Sequence, residues 1–124
     1  MVSKLSTPLL VTILVSLPAL SGENVVYQVD GANYEGYWSK ASDSAPLVVL
    51  VHDWDGLTDY EMKRAHMLND LGYNVFAVDL FGQGVRPTEV ADKKAHTGEL
   101  YKDRMKLQKL MNSGIQKAGA MGGN

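Results

Sequence analysis

The chain has 124 residues, of which 45% are apolar, and its 12 basic and 14 acidic residues give a formal net charge of -2. This near-balance argues against a nucleic-acid-binding protein, which usually carries a basic excess, and the abundance of apolar residues argues against disorder. The sequence contains no cysteine, which excludes a disulfide scaffold, a cysteine-ligated metal and a thiol nucleophile within these residues.

The first 21 residues have the pattern of a secretory signal peptide. Lys4 provides a positive charge, residues 8–17 form an uncharged apolar run, and small residues stand at positions 19 and 21, where signal peptidase reads them. A membrane anchor is the alternative, but this run is shorter than the roughly 20 apolar residues that span a bilayer. We therefore expect residues 1–21 to be removed, and residues 22–124 to be secreted or periplasmic with no stable membrane anchor.

The next segments predict a hairpin. Residues 25–29 and 34–38 are rich in β-branched and aromatic side chains, and the dipeptide Asp30-Gly31 between them is favoured in tight hairpin turns. We expect two antiparallel strands here. Residues 40–45, rich in serine and small side chains, then predict a loop.

A βαβ unit is predicted to follow. The continuous apolar run at 46–51 lacks the alternation of a half-exposed strand, and therefore predicts an interior parallel strand covered on both faces. A capping box beginning at Thr58 predicts a helix that stops at Gly72. Residues 74–78 predict a second buried strand, and the connection between the two strands should be right-handed.

The remainder of the chain predicts a loop and two helices. Residues 81–87 form the loop, a short helix is expected near Thr88, and a longer helix is expected over about 99–117. The longer helix would carry one stripe of side chains that faces the core: Leu100, Arg104, Leu107, Met111 and Ile115. The aliphatic stem of Arg104 would lie on the core and its charged head in water. We expect the small residues 118–124 to be flexible. The whole pattern predicts an α/β fold.

A cluster of polar and aromatic residues follows the first buried strand. In open α/β sheets ligands bind outside the carboxyl ends of the strands, which makes this cluster the candidate site. Three interpretations are open: His52, Asp53 and Asp55 bind a metal, backbone N–H groups stabilise an oxyanion, or the polar groups cap the helix at Thr58. The metal is the least favoured, because adjacent side chains at a strand end point in different directions.

Other candidate features are weaker. The segment Gly82-Gln83-Gly84 has Pro87 where a dinucleotide-binding fingerprint needs its third glycine, and therefore predicts a flexible turn. His66 and His96 lie among charged neighbours and are expected to be surface residues.

Residues 47–57, 71–73 and 77–82 together resemble, in order and spacing, the dienelactone hydrolase family of α/β-hydrolases. The resemblance covers roughly residues 25–124. It implies hydrolysis of a small-molecule ester or lactone without a cofactor. It also places the backbone N–H of Trp54 in the oxyanion hole and Asp53 against the resting nucleophile. Gln83 occupies the position at which the archetypal enzyme has a substrate-binding arginine. Arg86, three residues further on, is our candidate for binding the substrate.

The chain departs from the family pattern at the catalytic triad. The nucleophile of an α/β-hydrolase lies on a Gly-x-Ser/Cys-x-Gly elbow, with acid and base later in the chain, and no such pentapeptide occurs here. None of the three histidines, all of which precede the expected elbow, is the family's base. We therefore predict the N-terminal half of an α/β-hydrolase-like domain, with an incomplete parallel sheet and with nucleophile, acid and base elsewhere. A non-catalytic binding module and a non-functional truncated remnant remain open.

Overall fold

The computed structural model describes residues 11–13 and 22–123. The elements, in chain order, are β1 (Gly22–Val29), β2 (Ala32–Ser39), β3 (Leu47–Val51), α1 (Asp59–Asp70), β4 (Asn74–Val78), α2 (Val90–Lys102) and α3 (Arg104–Ala120). Apart from residues 11–13, the predicted signal peptide lies outside the described residues. Within the described ranges, no helix is both long enough and apolar enough to cross a membrane.

Strands β1 and β2 form the predicted hairpin. They pair antiparallel from Gly22 opposite Ser39 to Val29 opposite Ala32. Both turn residues have left-handed backbone angles, with φ of 52° at Asp30 and 80° at Gly31, as a two-residue type I′ turn requires. The hairpin prediction is confirmed.

The four strands form one mixed sheet in the order β1-β2-β4-β3. Strands β3 and β4 run parallel, from Leu47 opposite Asn74 to Val51 opposite Val78, and α1 connects them. Strand β2 pairs antiparallel with β4. The predicted α/β class and the predicted βαβ unit, formed by β3, α1 and β4, are therefore confirmed.

Helix α1 begins with the predicted capping box. The Thr58 hydroxyl accepts a hydrogen bond from the Tyr60 N–H at 3.3 Å, and the Glu61 carboxylate accepts one from the Thr58 N–H at 2.8 Å. At the other end Gly72 adopts a left-handed φ of 92°, which lets the chain turn into β4. Side-chain hydrogen bonds thus determine the start of this helix, and the backbone freedom of a glycine determines its end.

The core lies on both faces of β4, whose side chains from Val75 to Val78 are fully buried. One face packs Phe76 and Val78 against the side of α3 that carries Leu110. The other face packs Val75 and Ala77 beneath α1. Cover on both faces explains why the sequence of β4 is apolar without alternation.

Strand β3 differs from the prediction. It is the last strand of the described sheet, most of its residues are half-buried, and Val51 is 49% exposed. The interior position predicted for residues 46–51 is therefore not found in the described part of the chain, whose sheet ends at β3, in agreement with the incomplete parallel sheet that was also predicted. A continuous apolar run shows that the side chains need cover, but it carries no information on whether a neighbouring strand pairs on each side.

The helices after β4 also differ from the prediction. The second helix has 13 residues and the third has 17, and they meet at Asp103, so Leu100 and Arg104 lie on different helices. The Asp103 side chain accepts a hydrogen bond from the Lys106 N–H at 2.9 Å and thereby caps α3. A side-chain cap within an otherwise helical pattern marks this boundary, which the apolar spacing alone does not reveal.

The buried face of α3 is displaced from the predicted stripe. Ile115 is 44% exposed, whereas Leu110 and Ala118 are buried together with Gly114. Small residues allow this helix to approach the sheet: a Cβ on Gly114 would lie 2.4 Å from the Val78 side chain. The flexible end predicted for residues 118–124 is wrong at 118–120, which complete the helix because Ala118 packs in the core.

Candidate functional site

An open cleft of about 500 Å³ lies at the carboxyl ends of β3 and β4. Residues 51–54 form one wall, Leu80 and Phe81 follow β4 into the cleft, and the two later helices complete it with Thr97, Leu100, Tyr101, Arg104 and Leu107. This is the edge at which open α/β sheets bind ligands. The structure therefore places the predicted Asp53–Trp54 segment in a cavity.

The segment after β3 is a tight turn over residues 53–56. The Asp53 carbonyl accepts a hydrogen bond from the Gly56 N–H at 3.2 Å, and the Asp53 carboxylate accepts one from the Asp55 N–H at 3.1 Å. Gly56 has a left-handed φ of 81°. Aspartate in the first position and this backbone shape are typical of such turns.

The ring of His52 fixes the direction of this turn. Its Nε2 atom lies 3.0 Å from the Leu80 N–H, which donates to it, so the proton must be on Nδ1. That Nδ1–H donates to the Asp53 carbonyl at 2.7 Å. The ring is buried, and burial lowers the pKa of His52 below its ordinary value. His52 is therefore a neutral structural residue with both ring nitrogens engaged.

The same contacts orient the backbone N–H of Trp54. A trans peptide is planar, so its C=O and N–H groups point in opposite directions. Because His52 and Gly56 hold the Asp53 carbonyl, the Trp54 N–H points away from them. No group in the described part of the chain accepts a hydrogen bond from this N–H. An uncommitted, fixed donor is what an oxyanion hole needs; the role itself stays a prediction.

The metal interpretation gains no support from this geometry. His52 has no free lone pair, and the described residues contain no group of three or more His, Cys, Asp or Glu side chains arranged to hold a metal ion. The helix-capping interpretation also does not apply to Asp53 and Asp55. The cap of α1 is made by Thr58 and Glu61 alone.

A buried carboxylate that the sequence analysis missed holds the loop that follows β4. Asp79 follows β4 and is fully buried. One oxygen accepts a hydrogen bond from the Glu35 N–H at 2.9 Å, and the other accepts from the N–H groups of Phe81 and Gly82 at 3.0 and 3.1 Å. Its sequence signal is modest: an acid after a buried strand and before a glycine loop.

A model of the dienelactone hydrolase family matches residues 34–121, which is most of the chain. The chain belongs to the dienelactone hydrolase family. Its described fold is the N-terminal part of the α/β-hydrolase architecture of that family, as the sequence resemblance implied.

Two solved structures share this dienelactone hydrolase fold. One is m3DLH, with a TM-score of 0.69 and 24% identity. The other is the dienelactone hydrolase-like promiscuous phosphotriesterase P91 from metagenomic libraries, with a TM-score of 0.67 and 23% identity. Each similarity covers 77% of this chain and 41% of the solved chain, so the chain spans less than half the length of either. A search of curated proteins gives no match.

Arg86, the residue predicted to bind substrate, is folded back into the loop after β4. Its guanidinium donates to the carbonyls of Val85 and Gly82 at 2.9 and 3.1 Å and lies 3.5 Å from the buried Asp79 carboxylate. Gly82 and Gly84 have left-handed φ angles within this loop, in agreement with the predicted turn. Substrate binding by Arg86 stays a prediction for this dienelactone hydrolase family member.

The two remaining histidines are half-buried rather than fully exposed. The Nε2 atom of His66 lies 2.9 Å from the Tyr37 hydroxyl, beneath α1. The ring of His96 packs against Phe81, with 5.2 Å between ring centres, and Phe81 also contacts His52. The surface positions predicted for both are therefore wrong in part, because each ring packs against an aromatic side chain.

Proposed function

We propose that this chain is the N-terminal part of a secreted carboxylic ester or lactone hydrolase of the dienelactone hydrolase family. One observation carries the proposal: the uncommitted backbone N–H of Trp54, held at the cleft by the contacts of the Asp53 carbonyl. In this proposal the N–H stabilises the negative charge that develops on the substrate carbonyl oxygen. The Asp53 carboxylate, exposed at the same edge, contacts the nucleophile.

The proposal assigns the covalent chemistry to residues outside this sequence. A serine or cysteine on an elbow would attack the ester carbonyl, form an acyl-enzyme and release the alcohol, and water would then release the acid. His52 does not act as the base, because its Nε2 atom already accepts the Leu80 N–H. No metal or cofactor has a part in these steps.

The sheet supports a neighbour for β3 in this scheme. In the described residues only β4 pairs with β3. The residues after α3 reach the amino end of the same strand, because a Cβ on Gly123 would lie 3.0 Å from the Leu47 side chain. We propose that the strand carrying the elbow pairs at this open side.

Secretion is a separate part of the proposal and has its own test. Residues 1–21 have the charge, apolar run and small residues of a cleaved signal. Intact-mass analysis of the exported protein should give a chain that begins at Gly22. Retention of Met1 or Lys4 in that protein would contradict this part of the proposal.

A binding module without chemistry is the second candidate. The described residues form the cleft by themselves, and they leave Trp54 41% and Tyr101 65% exposed beside it. Exposed aromatic side chains around a concave surface can bind an apolar ligand without a nucleophile.

The deciding experiment uses the protein encoded by the whole reading frame that contains these residues. We expect turnover of an activated ester such as p-nitrophenyl acetate, with an acylation burst. A lactone and a phosphotriester complete the panel, the latter because the name of P91 gives that activity. Ligand binding without turnover would support the binding module. Absence of both binding and turnover would support a non-functional remnant.

Two substitutions at one position isolate the backbone donor. Trp54→Pro removes the N–H, and proline is favoured at the second position of such a turn, so kcat/KM should fall about 100- to 1000-fold. Trp54→Phe keeps both an aromatic ring and the N–H, and should retain activity within a few-fold. Equal activity of the two variants would exclude the Trp54 N–H as an oxyanion donor.

A further inference from the structure

Lys93 connects α2 to the turn that carries Trp54. Its ammonium group lies 2.7 Å from the Asp55 carboxylate and 5.2 Å from the centre of the Trp54 ring. The Lys93 side chain is only 18% exposed. In the part of the chain that the structure describes, no other cation forms an ion pair with Asp55.

We infer that Lys93 is a positioning residue for the Trp54 N–H, an inference that rests on the proposed function. The peptide carrying this N–H is held from one side by His52, through the Asp53 carbonyl. Lys93 holds the other side twice, through the Trp54 ring and through the carboxylate of the next residue. The segment that carries this N–H is therefore held at the Asp53 carbonyl on one side and at the side chains of Trp54 and Asp55 on the other.

The chemistry of the two contacts explains why a cation is suited to this position. An ammonium group over an indole face is attracted by the negative face of the ring, and the same group neutralises the carboxylate beside it. Without Lys93 the Trp54 ring has no other aromatic or cationic contact among the described residues. The ring and the Asp55 side chain would then move, and the N–H between them and Asp53 would lose its fixed direction.

The substitution Lys93→Met tests the inference, with Lys94→Met as the matched control. Lys94 is the next residue of the same helix, is exposed, and forms no ion pair in the described ranges. In the protein from the whole reading frame, K93M should lower kcat about 10- to 100-fold, as small misplacements of catalytic groups do. KM should stay nearly unchanged, because an oxyanion contact forms mainly in the transition state. K94M should alter neither parameter.

A second measurement does not depend on activity. Hydrogen exchange of the backbone amides of Asp55 and Gly56, which donate to Asp53, is followed by NMR in the 15N-labelled protein. It should become about fivefold faster in K93M, the loss expected for one cation–π contact. K94M should leave it unchanged. Lys93→Arg, which keeps the charge, should restore most of the protection. Exchange and kcat that are the same in K93M and K94M would overturn the inference.

The two tests separate this inference from the proposed function. Absence of ester hydrolysis by the unsubstituted protein overturns the proposed function, and with it any role of Lys93 in positioning a catalytic donor. Hydrolysis that is lost in W54P but unaffected by K93M overturns only the inference about Lys93. A lower melting temperature of K93M, together with a loss of kcat equal to that of K94M, would indicate general destabilisation. That result would likewise overturn the inference.

Discussion

The Nε2 atom of His52 accepts a hydrogen bond from the Leu80 backbone N–H at 3.0 Å. This contact joins the carboxyl end of β3 to that of β4, the two ends that enclose the cleft. It also determines the tautomer, because the ring proton must then be on Nδ1 and donate to the Asp53 carbonyl. One neutral imidazole thus connects the sheet to the turn that presents the Trp54 N–H.

The first prediction follows from the protonation state of His52. Burial lowers the pKa of His52 in the folded chain from its ordinary value of 6.5, so the unfolded chain binds more protons between the two values. The contribution of neutral His52 to the free energy of unfolding is therefore complete above pH 6.5. It is lost as the pH falls through the folded-state pKa. The free energy of unfolding should fall by about 1.4 kcal/mol for each unit of pKa depression.

Urea denaturation at about pH 7.5, 6.5 and 5.5, at low protein concentration, measures this effect. The variant His52→Gln is the comparison, because an amide oxygen can accept the Leu80 N–H but does not titrate. The acid-dependent loss should be smaller in H52Q than in the unsubstituted chain. The same pH dependence in both proteins would assign the loss to other groups.

The second prediction concerns the approach of α3 to the sheet. A Cβ on Gly114 would lie 2.4 Å from the Val78 side chain, whereas a Cβ on Gly119 would meet nothing within 4 Å. Gly114→Ala should lower the free energy of unfolding by about 1–3 kcal/mol, the usual effect of overpacking. Gly119→Ala should raise it by up to about 1 kcal/mol through helix propensity. Urea denaturation of both variants checks the signs, and a stabilised G114A would show that this helix does not pack as described.

Elements with local chemical signals were predictable from the sequence. The hairpin depends on two residues that tolerate left-handed φ, Asp30 and Gly31, and the start of α1 depends on a capping box within four consecutive residues. The boundary at Asp103 was missed because apolar spacing continues across it, although the side-chain cap there is itself local. The edge position of β3 depends on which strands are present, which no local pattern encodes.

The candidate site shows the same division. The position of Asp53 and Trp54 after a continuous apolar run was enough to place them at the end of a strand. The contacts that attach this turn to the rest of the fold were not predictable, because they join distant residues. The His52 ring accepts the Leu80 N–H across 28 positions in the chain, and Lys93 reaches Asp55 from a helix whose limits were themselves mispredicted.

The third prediction tests the role proposed for the Asp53 carboxylate. Asp53→Asn retains an oxygen that can accept the Asp55 N–H, which the carboxylate accepts at 3.1 Å, so the turn should persist while the charge is removed. A carboxylate beside an ionising nucleophile disfavours its anionic form and raises its pKa. In the protein from the whole reading frame, the limb of the acylation pH profile that reports nucleophile ionisation should shift to lower pH by about one unit.

Stopped-flow acylation with an activated ester measures this profile, and the melting temperature provides the control for folding. The expected result is a shifted profile at an unchanged melting temperature. An unchanged profile would make Asp53 a turn residue only, since the turn is the one function that the substitution preserves.

The fourth prediction concerns the open side of β3. The strand is apolar throughout, and in the described residues its outer side has no pairing strand. A long hydrophobic edge is a site for association with other chains. Residues 22–124 expressed alone should therefore form concentration-dependent oligomers or aggregates, which sedimentation velocity can measure.

A lysine placed on that edge should reduce the association, because natural edge strands use charged side chains to prevent pairing. Val51→Lys introduces one at a residue that is 49% exposed, and Val90→Lys is the control, because Val90 is 52% exposed but lies at the start of α2. V51K should sediment closer to a monomer, and V90K should behave as the unsubstituted chain.

Burial of each large aliphatic side chain contributes roughly 1.5–3 kcal/mol, so missing cover over a few residues would remove much of a net stability of about 5–15 kcal/mol. An unsubstituted monomer with one sharp unfolding transition would show instead that these residues form a self-sufficient domain, and the binding-module candidate would then be favoured.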